Sequence, residues 1–203
     1  MNILLNFLLS FVFSFMGSIP PGTLNLSIIQ LGLENKINIA WRFALAACLI
    51  EYPYAWLAVV FEGLITSSPV IVKNFQLITA FVMILLGIIN LRAVNKPSTV
   101  ITKFNNSGFR RGIVLGILNP LAMPFWIAVT AYLKSQHWID LSSTLGLHSY
   151  LLGVSLGGLT LLILFAYLAK KVVSGFQHNI WLKRIPGITL LILGCYALIR
   201  YVM

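Results

Sequence analysis

The length of its apolar runs leaves this chain few ways to fold. Six stretches, at residues 4–31, 39–65, 70–91, 112–133, 147–169 and 185–201, are long enough to cross a hydrocarbon core, which takes about 20 apolar residues as a helix. Polar segments separate them, among them ENKIN, TSSP, KSQHWIDLSS and the longer NKPSTVITKFNNSGFRR. Of the 203 residues 59% are hydrophobic and 9% charged, with a mean hydropathy of +0.95. A soluble domain of this size needs far more polar surface. The expected fold class is therefore all-α, a polytopic membrane protein of six transmembrane helices. No basic residue precedes Lys36, so the first span lacks the charged start of a cleavable signal and is expected to be retained.

The net charge of +10 raises the question of nucleic acid, but the basic residues form no stripe with interleaved aromatics. They cluster between apolar runs, as an orientation signal does. Lys36 and Arg42 flank the first connection; Arg92, Lys96, Lys103, Arg110 and Arg111 flank the third; Lys170, Lys171, Lys183 and Arg184 belong to the fifth. Eleven basic residues thus fall on one side and three, Lys73, Lys134 and Arg200, on the other. The positive-inside rule makes the first side cytoplasmic and both termini external. The two cysteines, Cys48 and Cys195, are isolated within apolar spans and make neither a CxxC nor a metal-ligand pattern. His137, His148 and His178 are scattered and form no ligand set.

Six spans divide into two halves of three, and an odd number per half gives the halves opposite orientations. The segments 1–94 and 110–203 are equally long, with 95–109 a cytoplasmic linker between them. A shift of 99 residues lays Gly17 on Gly116 and Pro21 on Pro120, so GSIPPGTLN falls on GILNPLAMP. Each half then has a proline break inside its first helix. An interior proline costs roughly 3 kcal/mol, and freed backbone groups at membrane depth survive only in protein or beside a wet cavity. Paired breaks in two inverted three-helix repeats point to a transporter binding site.

Glu51 lies near the middle of the second span, with its closest charged neighbour at Arg42. A central acidic residue costs roughly 2.5–3.5 kcal/mol even on insertion-derived scales, so it turns inward to a partner or to water. A carboxyl group there can hold a proton at one moment and a cationic ligand at another. Pro53 weakens the helix just beyond it, and Tyr52 and Tyr54 add hydroxyls and aromatic faces. Asn25 and Asn119 are the polar side chains at the two breaks, available either to satisfy freed backbone groups or to touch a ligand. A half-helix starting near Gly22 or Leu121 presents unpaired N–H groups and the positive end of its dipole, which suits a carboxylate. Glu51 suits a primary ammonium. The candidate binding residues are therefore Glu51, Pro21, Gly22, Asn25, Asn119, Pro120 and Tyr54, arranged for a zwitterion such as an amino acid. GVSLGG, within the fifth span, reads as close helix packing by small residues. No nucleophile and base stand together, so no catalytic, cofactor or metal site is expected.

With these features the chain resembles the lysine exporter and homoserine/threonine resistance transporter family, LysE/RhtB. Pro21-Gly22-Thr23 stands where that family carries Pro-Gly-Pro, and Glu51 where it carries an acidic residue in the second span. Asn119-Pro120-Leu121-Ala122 matches its Asn-Pro-Lys-Ala element, and SPVIVKNFQLITAFVMILLGIINLRA and GITLLILGCYALIR match its third and last spans. Thr23 replaces a proline and Leu121 replaces the lysine. The resemblance implies export of amino acids or related small zwitterions across the bacterial cytoplasmic (inner) membrane, driven by an ion gradient. The expected partners are that cargo, a coupling ion such as a proton and the lipid bilayer, with a homo-oligomer left open. Two other readings stay on the page: a metal or cation exporter, and a thiol–disulfide carrier that would need Cys48 and Cys195 to meet.

Overall fold

The computed structural model describes residues 3–19, 22–66, 107–119 and 122–171, with single positions between 77 and 91 and between 188 and 199. Six helices fill these segments: α1 (Ile3–Gly17), α2 (Thr23–Leu33), α3 (Ile37–Thr66), α4 (Gly108–Ile117), α5 (Ala122–Ser135) and α6 (Thr144–Tyr167). No strand occurs among the described residues. Apart from the single positions, the expected third and sixth spans lie outside them, as does the linker up to residue 106.

The first expected span is two helices, α1 and α2, separated at residues 18–22. The fourth is also two, α4 and α5, bent by 64° at a short break. The second and fifth are the continuous helices α3 and α6, each long and apolar enough to cross a bilayer. With the bent pair taken as one span, the described residues hold three candidate spans. Pro53 does not interrupt α3, which runs through it from Ile37 to Thr66. A proline in a membrane helix removes one hydrogen bond, and neighbouring helices can take up the freed carbonyl.

Burial on α1 is the reverse of a soluble helix. Its buried residues are Asn6, Ser10 and Ser14, while Leu4, Leu5, Leu8, Val12 and Met16 are exposed. Asn, Ser and Gly at helix contacts with leucine outside is the pattern lipid imposes, because hydrocarbon gives leucine no reason to hide. The buried stripe lies along α6, the most extensive helix pair among the described residues. There Ser14 Oγ donates to the Val154 carbonyl at 2.6 Å, and Gly153 and Gly157 leave room for the backbone of Phe7 and Phe11. At the far end Asn6 Nδ2 donates to the carbonyls of Asp140 (2.7 Å) and Gly146 (3.2 Å), pinning the loop before α6 to α1.

A second close pair repeats this device. On α4, Gly108 and Gly112 face the carbonyls of Ile39 and Phe43 on α3 so closely that a methyl group would collide with either. Stepping four residues along one helix advances four along the other in both pairs, so α1 runs parallel to α6 and α4 parallel to α3. The broken helix of each half thus packs against the continuous helix of the other. At the Lys/Arg-rich end, the buried Arg111 guanidinium donates to Gln30 Oε1 at 3.3 Å and lies 5.9 Å from the Phe43 ring. Nearby, Gln30 and Lys36 both bond Glu34, and the Lys36 ammonium holds that carboxyl below its ordinary range.

Candidate functional site

Glu51 sits almost halfway along α3, partly buried, where α5 and α6 reach it. Trp126, in the second turn of α5, donates its indole N–H to Glu51 Oε1 at 3.4 Å. The other carboxylate oxygen lies over Gly158 of α6, 2.5 Å from where a Cβ would stand there, and Ser14 Oγ of α1 lies 3.5 Å from the same point. Among the described residues no lysine or arginine pairs with Glu51. A mid-helix carboxylate held by one long bond from a neutral donor is an electrostatically open position.

The helix ends at the two breaks contact neighbours of Glu51 and Trp126. Gly17, the last residue of α1, packs against the Phe125 ring, next in sequence to Trp126. The Tyr54 hydroxyl, one turn beyond Glu51, donates to the carbonyl of Ile117, the last residue of α4, at 2.6 Å. Asn25 is buried, and its Nδ2 donates to the Ser18 carbonyl at 2.6 Å. Of the two roles open to Asn25, it therefore performs the structural one, and the Tyr54 hydroxyl does the same: each satisfies a carbonyl at a break.

The amides of the first break are treated differently. Gly22 is the N-cap of α2, with extended backbone and no side-chain bond to the first turn. The Gly22 carbonyl accepts from Leu26 N at 2.9 Å. A cap residue with an oxygen would have claimed one of the early N–H groups. At the second break, Asn119 is partly buried and its carbonyl accepts from Ala122 N at 3.4 Å. Pro20, Pro21, Pro120 and Leu121 lie outside the described residues.

The structure thus brings Glu51, Tyr54 and the ends of both breaks together. Trp126 and Gly158 join them unannounced. The signal for Trp126 was its depth: tryptophan favours the membrane interface, and one buried at mid-span needs a partner for its N–H. Gly158 does pack closely, as GVSLGG suggested, but against a carboxylate as well as a helix. Cys48 is buried and Cys195 exposed, and both are free. At the opposite end of the molecule from the basic connections, Asp140 is held below the usual carboxylate range by the Ser142 amide.

Broken helices beside continuous ones, polar and small residues turned inward and a carboxylate halfway along a candidate span are the make-up of a helical membrane protein. The LysE type translocator family model matches residues 15–201, and the chain belongs to that family. A Bacillus subtilis (strain 168) protein named "Putative amino acid efflux protein YcgF" is 25% identical over 210 residues, covering 97% of this chain and 95% of its own. No solved structure matches the chain.

Proposed function

We propose that this translocator exports amino acids from the cytoplasm, holding the cargo ammonium at Glu51 and its carboxylate at the amides of the broken helices. The observation that carries this reading is the asymmetry of the first break. Asn25 occupies a freed carbonyl there, while Gly22, the N-cap of α2, brings no side-chain oxygen of its own to the helix start. A helix start whose cap carries no side-chain oxygen suits an anion, and a mid-span carboxylate with no lysine or arginine partner among the described residues suits an ammonium. One small molecule carries both groups. The family, and the efflux named for the Bacillus subtilis relative, agree with that cargo.

The reading extends to the whole chain as six spans in two inverted repeats, 1–94 and 110–203, joined by a cytoplasmic linker, with both termini outside. The crossed parallel pairs α1 with α6 and α3 with α4 support it, because a pseudo-two-fold axis generates one from the other. Export against a gradient needs an ion, and a carboxyl group that exchanges a proton for the cargo ammonium supplies the coupling at Glu51. Proteoliposomes loaded with labelled amino acids test this reading. Glu51→Gln keeps the shape and the Trp126 bond while removing the titratable charge, and it lightens the cost of insertion. The expected result is a well-expressed protein that moves no amino acid against a proton gradient. Parental transport with unchanged pH dependence would make Glu51 structural.

A further inference from the structure

Glu51 has a companion farther along its own helix. Glu62 follows eleven residues later, three turns or about 16 Å along the same stripe of α3. Between them the stripe carries Ala55 and Ala58, both fully buried. Against these alanines α5 lays Trp126 and Leu133 in one apolar cluster. The seam between α3 and α5 therefore has a carboxylate at each end and small apolar packing between. At one end Trp126 holds Glu51. At the other, Lys134 Nζ pairs with Glu62 Oε2 at 2.6 Å, the lysine side chain 40% exposed and the glutamate 4%. Beside this pair lies a pocket of about 330 Å³, lined by Val59, Lys134, Ile139, Asp140, Leu141 and Ser142.

An ion pair with one partner nearly out of water is a weak source of stability, because desolvation offsets the attraction, and apolar residues would close the same seam as well. Such a pair is better suited to specifying one of two packed states. The small residues between the carboxylates add to this: two alanines give a smooth face along which α5 can part from α3.

We propose that the Glu62–Lys134 pair is the latch of the exit path, and that cargo leaving Glu51 passes along the α3–α5 seam into the 330 Å³ pocket when the pair opens. The path rests on the export reading; the latch can be tested without it. Cys48 and Cys195 are replaced by serine, Ala58 by cysteine, and the protein is purified in detergent so that a thiol reagent reaches both faces. With the latch intact, labelling of Ala58→Cys is slow. Adding Lys134→Gln accelerates it about tenfold or more, since it strands the nearly buried Glu62 carboxylate, and Glu62→Gln, which removes the latch but leaves an exposed lysine, accelerates it in the same direction. The double swap Glu62→Lys with Lys134→Glu returns it toward the slow rate. Equal labelling with and without the single changes overturns the latch, and so does a swap that labels as fast as they do. If one single variant fails to fold, the other carries the comparison. Absence of amino-acid transport by the parent protein would count against export alone and leave the labelling result to judge the latch.

Discussion

Glu51 is placed by two neighbours of opposite kinds, a donor and a void. The Trp126 indole N–H orients one oxygen, and the missing side chain at Gly158 makes room for the other. Gly158→Ala is therefore informative. Its methyl would meet Glu51 Oε2 at 2.5 Å, but that oxygen is the tip of a flexible side chain and can swing away cheaply. The fold should lose no more than about 1 kcal/mol. The displaced carboxylate should weaken amino-acid binding roughly tenfold, or about 1.4 kcal/mol, read by titration of purified protein. Equal loss of stability and binding in Gly158→Leu only, with none in Gly158→Ala, would show that the glycine serves helix packing alone.

At the scale of the helix, breaks are expensive, and side chains answer the carbonyls that this chain's breaks set free. Asn25 and Tyr54 each cap a stranded carbonyl, just past the end of α1 and at the last residue of α4, at 2.6 Å in both cases. Had the breaks been mere kinks, there would be no reason to leave the Gly22 position without an oxygen. Replacing Pro20, Pro21 and Gly22 together by alanine should let the first span run on as one helix and recapture its amides. The expected protein inserts and resists heat at least as well as the parent, yet transports nothing. Full transport in proteoliposomes would reduce the break to a packing feature.

For the whole molecule, the governing relation is the crossing of the halves. Each broken helix lies parallel to the continuous helix of the other half, and glycine or serine stripes let the backbones touch. Interhelical hydrogen bonds such as that from Ser14 to Val154 average only about 0.6 kcal/mol in membranes. Close packing must therefore carry most of the association. The basic residues then decide which way the assembly points. With native cysteines removed, cysteines placed at Asn2 and Asn106 should react oppositely with an impermeant thiol reagent in intact cells, Asn2→Cys from outside and Asn106→Cys only after permeabilisation. Equal external labelling of both would overturn the orientation and the inverted repeat together.

Hydrocarbon is an undemanding solvent to read against, so much was settled by the sequence alone. Run length identified α3 and α6 as spans, and paired prolines located both helix breaks. An isolated acid at mid-run marked Glu51, because few positions in lipid tolerate a charge without purpose. The span ends read from the sequence lie within one to four residues of the helix ends at α3, α4 and α6, since polar ends shade into apolar spans without a sharp edge. What only the tertiary structure decided is which groups answer one another across helices. Asn25 had two roles open in the sequence, and its amide donates to a freed carbonyl, as the Tyr54 hydroxyl does at the other break. Trp126 and Gly158 meet Glu51 from helices 75 residues and more away in the chain. Glu62 finds Lys134 across 72 residues. Composition and periodicity report the medium around each residue and the face it presents. They hold no record of the partner opposite, which exists only once the helices have crossed.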